Sequence, residues 1–176
     1  MRYKIWIVLV GFSLFIYAST PLKQAEEVYS KGDFTKAKKL FEKLVENGDF
    51  KAQYNLGYLY EQGQGVKKDD KIAFKWYKKS AKQGYVNAQY NTATFYYEGR
   101  GTKQDYQKAL YWYLQAAKKG DAQALYNLGV MYLKAQGVIR NKLKAYELWI
   151  EAAKIGNPQA EDSLDLLCKE SPWVCK

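Results

Sequence analysis

A period of 36 residues runs through this chain, and a chain that repeats itself at that interval has few folds open to it. Ala52-Gln53-Tyr54-Asn55 returns as Ala88-Gln89-Tyr90-Asn91, and in part as Ala124, Tyr126 and Asn127. Tyr60, Tyr96 and Tyr132 keep the same spacing, as do Gly65, Gly101 and Gly137, and Gly84, Gly120 and Gly156. Between residues 51–86 and 87–122, 15 of 36 positions are identical without a gap. One unit of this size cannot bury an apolar face alone, so consecutive units must stack.

Each unit reads as two helices. The first spans about Ala52 to Gln62, with Tyr54, Leu56, Gly57 and Tyr60 at helical spacing, and stops at Gly63 and Gly65, where glycine takes the left-handed conformation that ends a helix. The second begins after Asp69, Asp105 or Asn141, whose short side chains cap free amides, and breaks at Gly84 or its equivalents. Asn157-Pro158 restarts the pattern, a cap followed by proline at the first helical position. Gly57, Ala93 and Gly129 are expected to let a neighbouring helix approach, with Tyr60, Tyr96 and Tyr132 filling the space beside it. Ala135 stands where the first loop glycine is expected, which predicts a tighter or differently bent third loop. Residues 19–50 form a shorter pair around Ala25, Tyr29, Gly32-Asp33-Phe34 and Ala37. Gln159 to Lys169 is a last half-unit, in which Asp162 and Ser163 replace tyrosine and asparagine, as a solvent-facing cap requires.

Composition removes most catalytic chemistry. Among 176 residues there is no histidine, which excludes Ser-His-Asp and Cys-His nucleophilic sites, imidazole zinc sites and any histidine general base. Two cysteines cannot build a four-thiolate metal site. No metal or cofactor is expected.

Residues 1–18 read as an address. Arg2 and Lys4 precede the uncharged run Ile5–Ala18, which as a helix would be ~21 Å long, short of a ~30 Å hydrocarbon core. A basic start, an apolar stretch of this length and the small residue Ala18 fit a secretory signal peptide; an uncleaved anchor is the alternative. Export permits a disulfide, and Cys168 and Cys175 are expected to form one, tying the tail to the last helix. The net charge is +10, and +8 without residues 1–18, with lysines spread in pairs. In an exported chain such a surface suits acidic envelope polymers or an acidic partner and not nucleic acid.

The pattern Ala-x-Tyr-Asn-Leu-Gly-x-x-Tyr, then Gly-x-Gly-Val, Asp, Ala-x-x-Trp-Tyr and Ala-Ala-x-x-Gly resembles the Sel-1-like repeat, a relative of the tetratricopeptide repeat. It covers 51–86, 87–122 and 123–158, while 19–50 is more similar to a tetratricopeptide unit and 159–176 makes a capping helix and tied tail. The resemblance implies an all-α, α/α solenoid, a right-handed superhelix of about four antiparallel helix pairs plus the cap. It implies a monomeric scaffold holding a protein or peptide partner on a concave face lined by the first helices. Tyr54, Tyr90 and Tyr126, Asn55, Asn91 and Asn127, with Tyr58, Thr94 and Tyr97, are placed on that face. An asparagine ladder can hold an extended peptide backbone, since each amide offers two donors and an acceptor. It can equally brace the adjacent helix, and both readings stand at this point. Cysteine-rich members of the same group are described as β-lactamases or as penicillin-binding. Their paired cysteines would fall here at Ala81 and Gln89, Ala117 and Leu125, and Ala153 and Glu161, so that signature is absent, and no Ser-x-x-Lys has the setting such chemistry needs. The remaining possibility is a signalling or assembly factor held at a membrane only through an uncleaved leader.

Overall fold

The computed structural model describes residues 20–175, and the expected leader, residues 1–18, lies outside them. Among the described residues the regular elements are helical throughout. The helices are α1 (Pro21–Ser30), α2 (Phe34–Glu46), α3 (Phe50–Gln62), α4 (Asp70–Lys82), α5 (Val86–Glu98), α6 (Tyr106–Ala117), α7 (Ala122–Lys134), α8 (Lys142–Lys154) and α9 (Pro158–Glu170). A short 3-10 turn, Pro172–Cys175, follows. Successive helices pack against each other in order, which gives four hairpins and a ninth helix as cap. This is the expected α/α solenoid.

The caps account for the boundaries. Asp69, Asp105 and Asn141 each accept a hydrogen bond from the backbone N–H three residues on, as the spacing predicts. The first helices start earlier than expected, because Asp49 and Asp121 cap α3 and α7 in the same way. Tyr85 holds that position before α5 and makes no side-chain cap; its ring instead packs on Phe50 and Tyr54, with centroids 5.4 and 5.2 Å apart.

Small residues meet large rings inside each hairpin. A Cβ on Gly57 would come within 2.7 Å of the Tyr77 ring, and one on Gly129 would overlap the Trp149 indole. The rings that need the space therefore belong to the second helix, in the column Tyr77 and Trp149, and not to Tyr60 and its equivalents. Of those, Tyr96 is buried, while Tyr60 and Tyr132 are half-buried. Trp149 Nε1 also donates to the Tyr126 carbonyl at 3.0 Å, so the larger ring at this place brings its own hydrogen bond.

The loops join one hairpin to the one before it. At Gly65 the backbone has φ +67°, and an added Cβ would lie 2.7 Å from the Phe34 carbonyl carbon. At Gly101 it would overlap the Asp70 carbonyl, and at Gly137 it would lie 2.9 Å from the Tyr106 carbonyl carbon. Phe34, Asp70 and Tyr106 are the first residues of α2, α4 and α6. The second loop glycine thus seats each hairpin on the start of the preceding second helix. The first loop position has more room: a Cβ at Gly63 or Gly99 would meet only Lys68 or Gln104 at 3.2 Å. Ala135 adopts the same left-handed cap, φ 56°. The loop it closes repeats the bonds of the others, with Gln136 N–H donating to Met131 and Asn141 N–H to Tyr132. The expectation of a differently bent third loop is therefore corrected: the alanine accepts strain and the loop keeps its shape.

Two substitutions follow from this difference. Ala135→Gly is expected to stabilise the protein by about 0.5–1 kcal/mol, as left-handed strain is relieved and partly offset by the freedom glycine adds to the unfolded chain. Gly101→Ala is expected to cost about 2–4 kcal/mol, because the overlap is with backbone that has nowhere to go. Urea denaturation of both variants beside the parent checks the two signs.

Candidate functional site

Of the residues placed on the concave face, Tyr54, Asn55, Tyr58, Tyr90, Thr94, Tyr97, Tyr126 and Asn127 line hollows beside the first helices, and Asn91 does not. These hollows open between first helices of neighbouring hairpins. Tyr29, Tyr54, Asn55 and Tyr58 line one of about 300 Å³ between α1 and α3. Tyr90, Thr94, Tyr97, Tyr113 and Asn127 contribute to one of about 230 Å³ between α5 and α7. Tyr126, Val130, Leu133, Trp149, Leu166 and Leu167 contribute to one of about 390 Å³ between α7 and α9, with Lys134, Ser163 and Glu170 also on its lining. A larger hollow of about 670 Å³ lies elsewhere, between α4 and α6 under the 99–105 loop, lined by Phe74, Lys78, Tyr96 and Lys108 among others. It holds none of the Tyr and Asn positions placed on the concave face.

The tyrosines of the first helices divide by their contacts. Tyr58 is 36% exposed and meets Tyr29 edge-on. Tyr54 packs on Tyr77, Tyr90 on Tyr113, and Tyr126 stacks on Trp149. Tyr97 packs on Tyr106 and donates its hydroxyl hydrogen to Gln136 Oε1 at 2.9 Å, in the loop of the following hairpin. Tyr29 makes the equivalent bond to Gln64.

The asparagines are not equivalent. The Asn91 amide faces the hydroxyls of Tyr54 and Tyr77, and Asn127 faces that of Tyr113. Burial pushes all three phenols above the ordinary value of 10.0; these amides partly counter it by interacting with the hydroxyl oxygens. At Asn55 the corresponding ring is Phe41, which has no hydroxyl, and its amide makes no hydrogen bond among the described residues. Asn91 and Asn127 therefore stand against tyrosine hydroxyls, and Asn55 presents its amide to its hollow without one.

Sequence reasoning missed a charged seam between α3 and α5. Arg100 donates to Glu61 Oε1 at 2.9 Å and to Asp70 Oδ1 at 3.2 Å, and its guanidinium lies 4.4 Å from the Phe95 ring centre. Tyr77 donates to the other Glu61 oxygen at 2.6 Å. These contacts hold the guanidinium charged against the partial burial that opposes it. The ion pair occupies the place that Tyr97 and Gln136 fill one repeat later, and Tyr29 and Gln64 one earlier. The available signal was the simultaneous departure of Glu61 and Arg100 from their repeat columns. The Leu166 side of the third hollow was also missed: that residue is 60% exposed, so the cap is not uniformly polar. The expected disulfide is present, Cys168–Cys175 with Cα atoms 5.8 Å apart.

Asn91→Ala is expected to lower stability by about 1 kcal/mol, and Asn55→Ala by no more than a few tenths. The buried phenols add a pH dependence. Their folded-state values lie above the unfolded 10.0, so their contribution is complete below about pH 10 and is lost as pH rises through and beyond it. Absorbance at 295 nm during alkaline titration should show Tyr77 and Tyr113 ionising only as the chain unfolds. Smooth ionisation of all tyrosines in the folded state would contradict the burial described.

Comparison with known proteins places these features in a family context. The sequence model of the Sel1 repeat matches residues 28–49, 50–85, 86–121 and 122–157. The solved structure of a Sel1 repeat protein from Oxalobacter formigenes superposes with a TM-score of 0.77 at 34% identity, covering 82% of this chain and 63% of that one. The structure of c5321, a protective antigen present in uropathogenic Escherichia coli strains and displaying the same repeat fold, gives 0.77 at 30% identity, covering 85% of this chain and 36% of that one. HcpC of Helicobacter pylori, a protein with beta-lactamase in its name, is 52% identical over 40 residues, 23% of this chain and 14% of its own length. The chain spans less than two thirds of the length of each of these relatives.

Proposed function

This chain belongs to the Sel1 repeat family, whose stacked hairpins are a protein-interaction fold, and from that we propose that it is an exported, non-catalytic scaffold holding an extended segment of a partner protein along its first-helix side. One observation carries the reading: three hollows open on that side between first helices, at α1 and α3, α5 and α7, and α7 and α9, and each is lined by at least one tyrosine ring with a polar tip. Such rings give contact area at low entropic cost. Asn55 adds its amide at one end, and Val130, Leu133 and Leu166 add an apolar seat at the other. Asn91 and Asn127 stand against the hydroxyls of Tyr54, Tyr77 and Tyr113. The Cys168–Cys175 disulfide supports export, because such a bond persists outside the reducing cytoplasm. Beta-lactamase activity, suggested by the name of one relative, has no support in this chain's residues: the histidine-free sequence lacks the paired cysteines of the cysteine-rich members.

A photo-reactive phenylalanine analogue placed at Tyr58 or Tyr97 in the producing cell is expected to yield a discrete cross-linked partner. The same group at Tyr111, 54% exposed on a second helix, is expected to yield none. Adducts from Tyr111 alone would overturn the proposed surface. Nitrocefin turnover by the purified protein would overturn the non-catalytic reading, and none is expected.

A further inference from the structure

Away from the first-helix side, charge is distributed unevenly. α4 carries Lys71, Lys75, Lys78, Lys79 and Lys82 within 13 residues, at spacings that put them on one helical stripe. Lys78 is half-buried and the other four are exposed. From Lys71 to Lys82 the stripe rises ~16 Å along the helix. Among the described residues none of the five has a carboxylate within ion-pairing distance, whereas Lys108 and Lys144 on later second helices are paired with Asp105 and Glu147. The two acids nearest in sequence are engaged elsewhere: Asp69 caps α4 and Asp70 binds Arg100. α2, the second helix of the preceding hairpin, adds the exposed Lys36, Lys39 and Lys43. At the far end of the stack α9 is acidic, with Glu161, Asp162, Asp165 and Glu170. The cationic surface therefore belongs to one part of the molecule and is not a diffuse consequence of net charge.

We propose that the lysine stripe of α4 seats the solenoid on an anionic phospholipid surface, by a side that leaves the first-helix hollows open. The charge complement is phosphate, and the chemistry of the stripe favours phosphate that can move. Lysine ammonium is a compact point charge without the fixed fork that arginine uses to read a carboxylate or a base edge, and the stripe contains no arginine. Lipid headgroups diffuse to match such charges, so no particular spacing is required. Trp76 lies half-buried on the same helix with Lys79 Nζ 4.4 Å from its ring centre, a pairing suited to the boundary between headgroups and water. Basic segments of this kind are drawn to anionic leaflets within a Debye length, so the attraction weakens with salt.

The test uses the full chain and vesicles of about 30% phosphatidylglycerol in phosphatidylcholine, beside pure phosphatidylcholine, read by co-sedimentation at low and high salt. Charge-dependent partitioning is expected to favour the anionic vesicles by about tenfold or more and to fall by a similar factor at high salt. The triple variant Lys71→Gln, Lys75→Gln, Lys82→Gln should lose most of that difference, about fivefold or more. The triple Lys118→Gln, Lys154→Gln, Lys169→Gln removes the same charge from exposed positions elsewhere and should change it by less than about twofold. The Lys→Arg triple at 71, 75 and 82 preserves charge and should keep the binding, which separates loss of charge from loss of fold. Equal losses in the two Gln triples, or equal binding to both kinds of vesicle, would overturn the proposal. So would stripe-dependent capture by a short DNA duplex that displaces the vesicles, since the stripe would then read polyanions and not a lipid surface.

Discussion

Each hairpin sits on the one before it through a bare stretch of backbone. Gly65, Gly101 and Gly137 turn with positive φ directly against the first residues of α2, α4 and α6, so close that a single methyl group would displace main chain. A side chain there would change the spacing between hairpins, and every contact that depends on that spacing would change with it. The remaining inter-hairpin contacts exploit a distance that this contact sets. Tyr29 and Tyr97 reach the following loops at Gln64 and Gln136, and Arg100 reaches back to Glu61 and Asp70. Interiors built this way are close-packed and transmit displacement, which is why the same fold recurs with different chemistry at the seam.

The seam between α3 and α5 shows how much that chemistry can vary. A neutral tyrosine–glutamine bond is replaced by an arginine hydrogen-bonded to Glu61 and Asp70, with Glu98 also within 3.6 Å and Tyr77 satisfying the Glu61 oxygen that Arg100 leaves free. The exchange retains the contact and adds a half-buried polar network in which every named member has a partner. The hollow between α5 and α7 is lined in part by Tyr97, the residue whose place Glu61 takes one repeat earlier. The hollows are thus unevenly placed along the stack, with aromatic character near α1 and α3 and apolar character near α9.

Much of this was legible in the residues. The period gave the hairpins, and the caps Asp69, Asp105 and Asn141 gave the starts of the second helices, because capping is a local interaction with a fixed sequence offset. The placement of Tyr54, Asn55, Tyr90 and their equivalents on a concave face was implied by the family resemblance and not by helical spacing. What the sequence did not disclose depends on contacts between helices, within a hairpin or across two. Whether Asn91 faces solvent or Tyr77 turns on a side chain in another helix, and so does the partner that Gly57 accommodates. Ala135 misled for a related reason: local propensity opposes alanine at positive φ, but the contacts of the surrounding loop override it. Arg100 and Glu61 each look like ordinary surface residues until they are seen as two linked departures from one repeat.

Hydrogen exchange in the native protein tests the seating of the loops most directly. The amides of Gln64, Arg100 and Gln136 donate back to Leu59, Phe95 and Met131, and those of Asp69, Asp105 and Asn141 to Tyr60, Tyr96 and Tyr132. If glycine contacts lock the hairpins into one register, all six should be protected to the degree of the helix interiors they border. Rapid exchange in these loops, alongside slow exchange in the helices, would mean hairpins that move independently and would contradict the account.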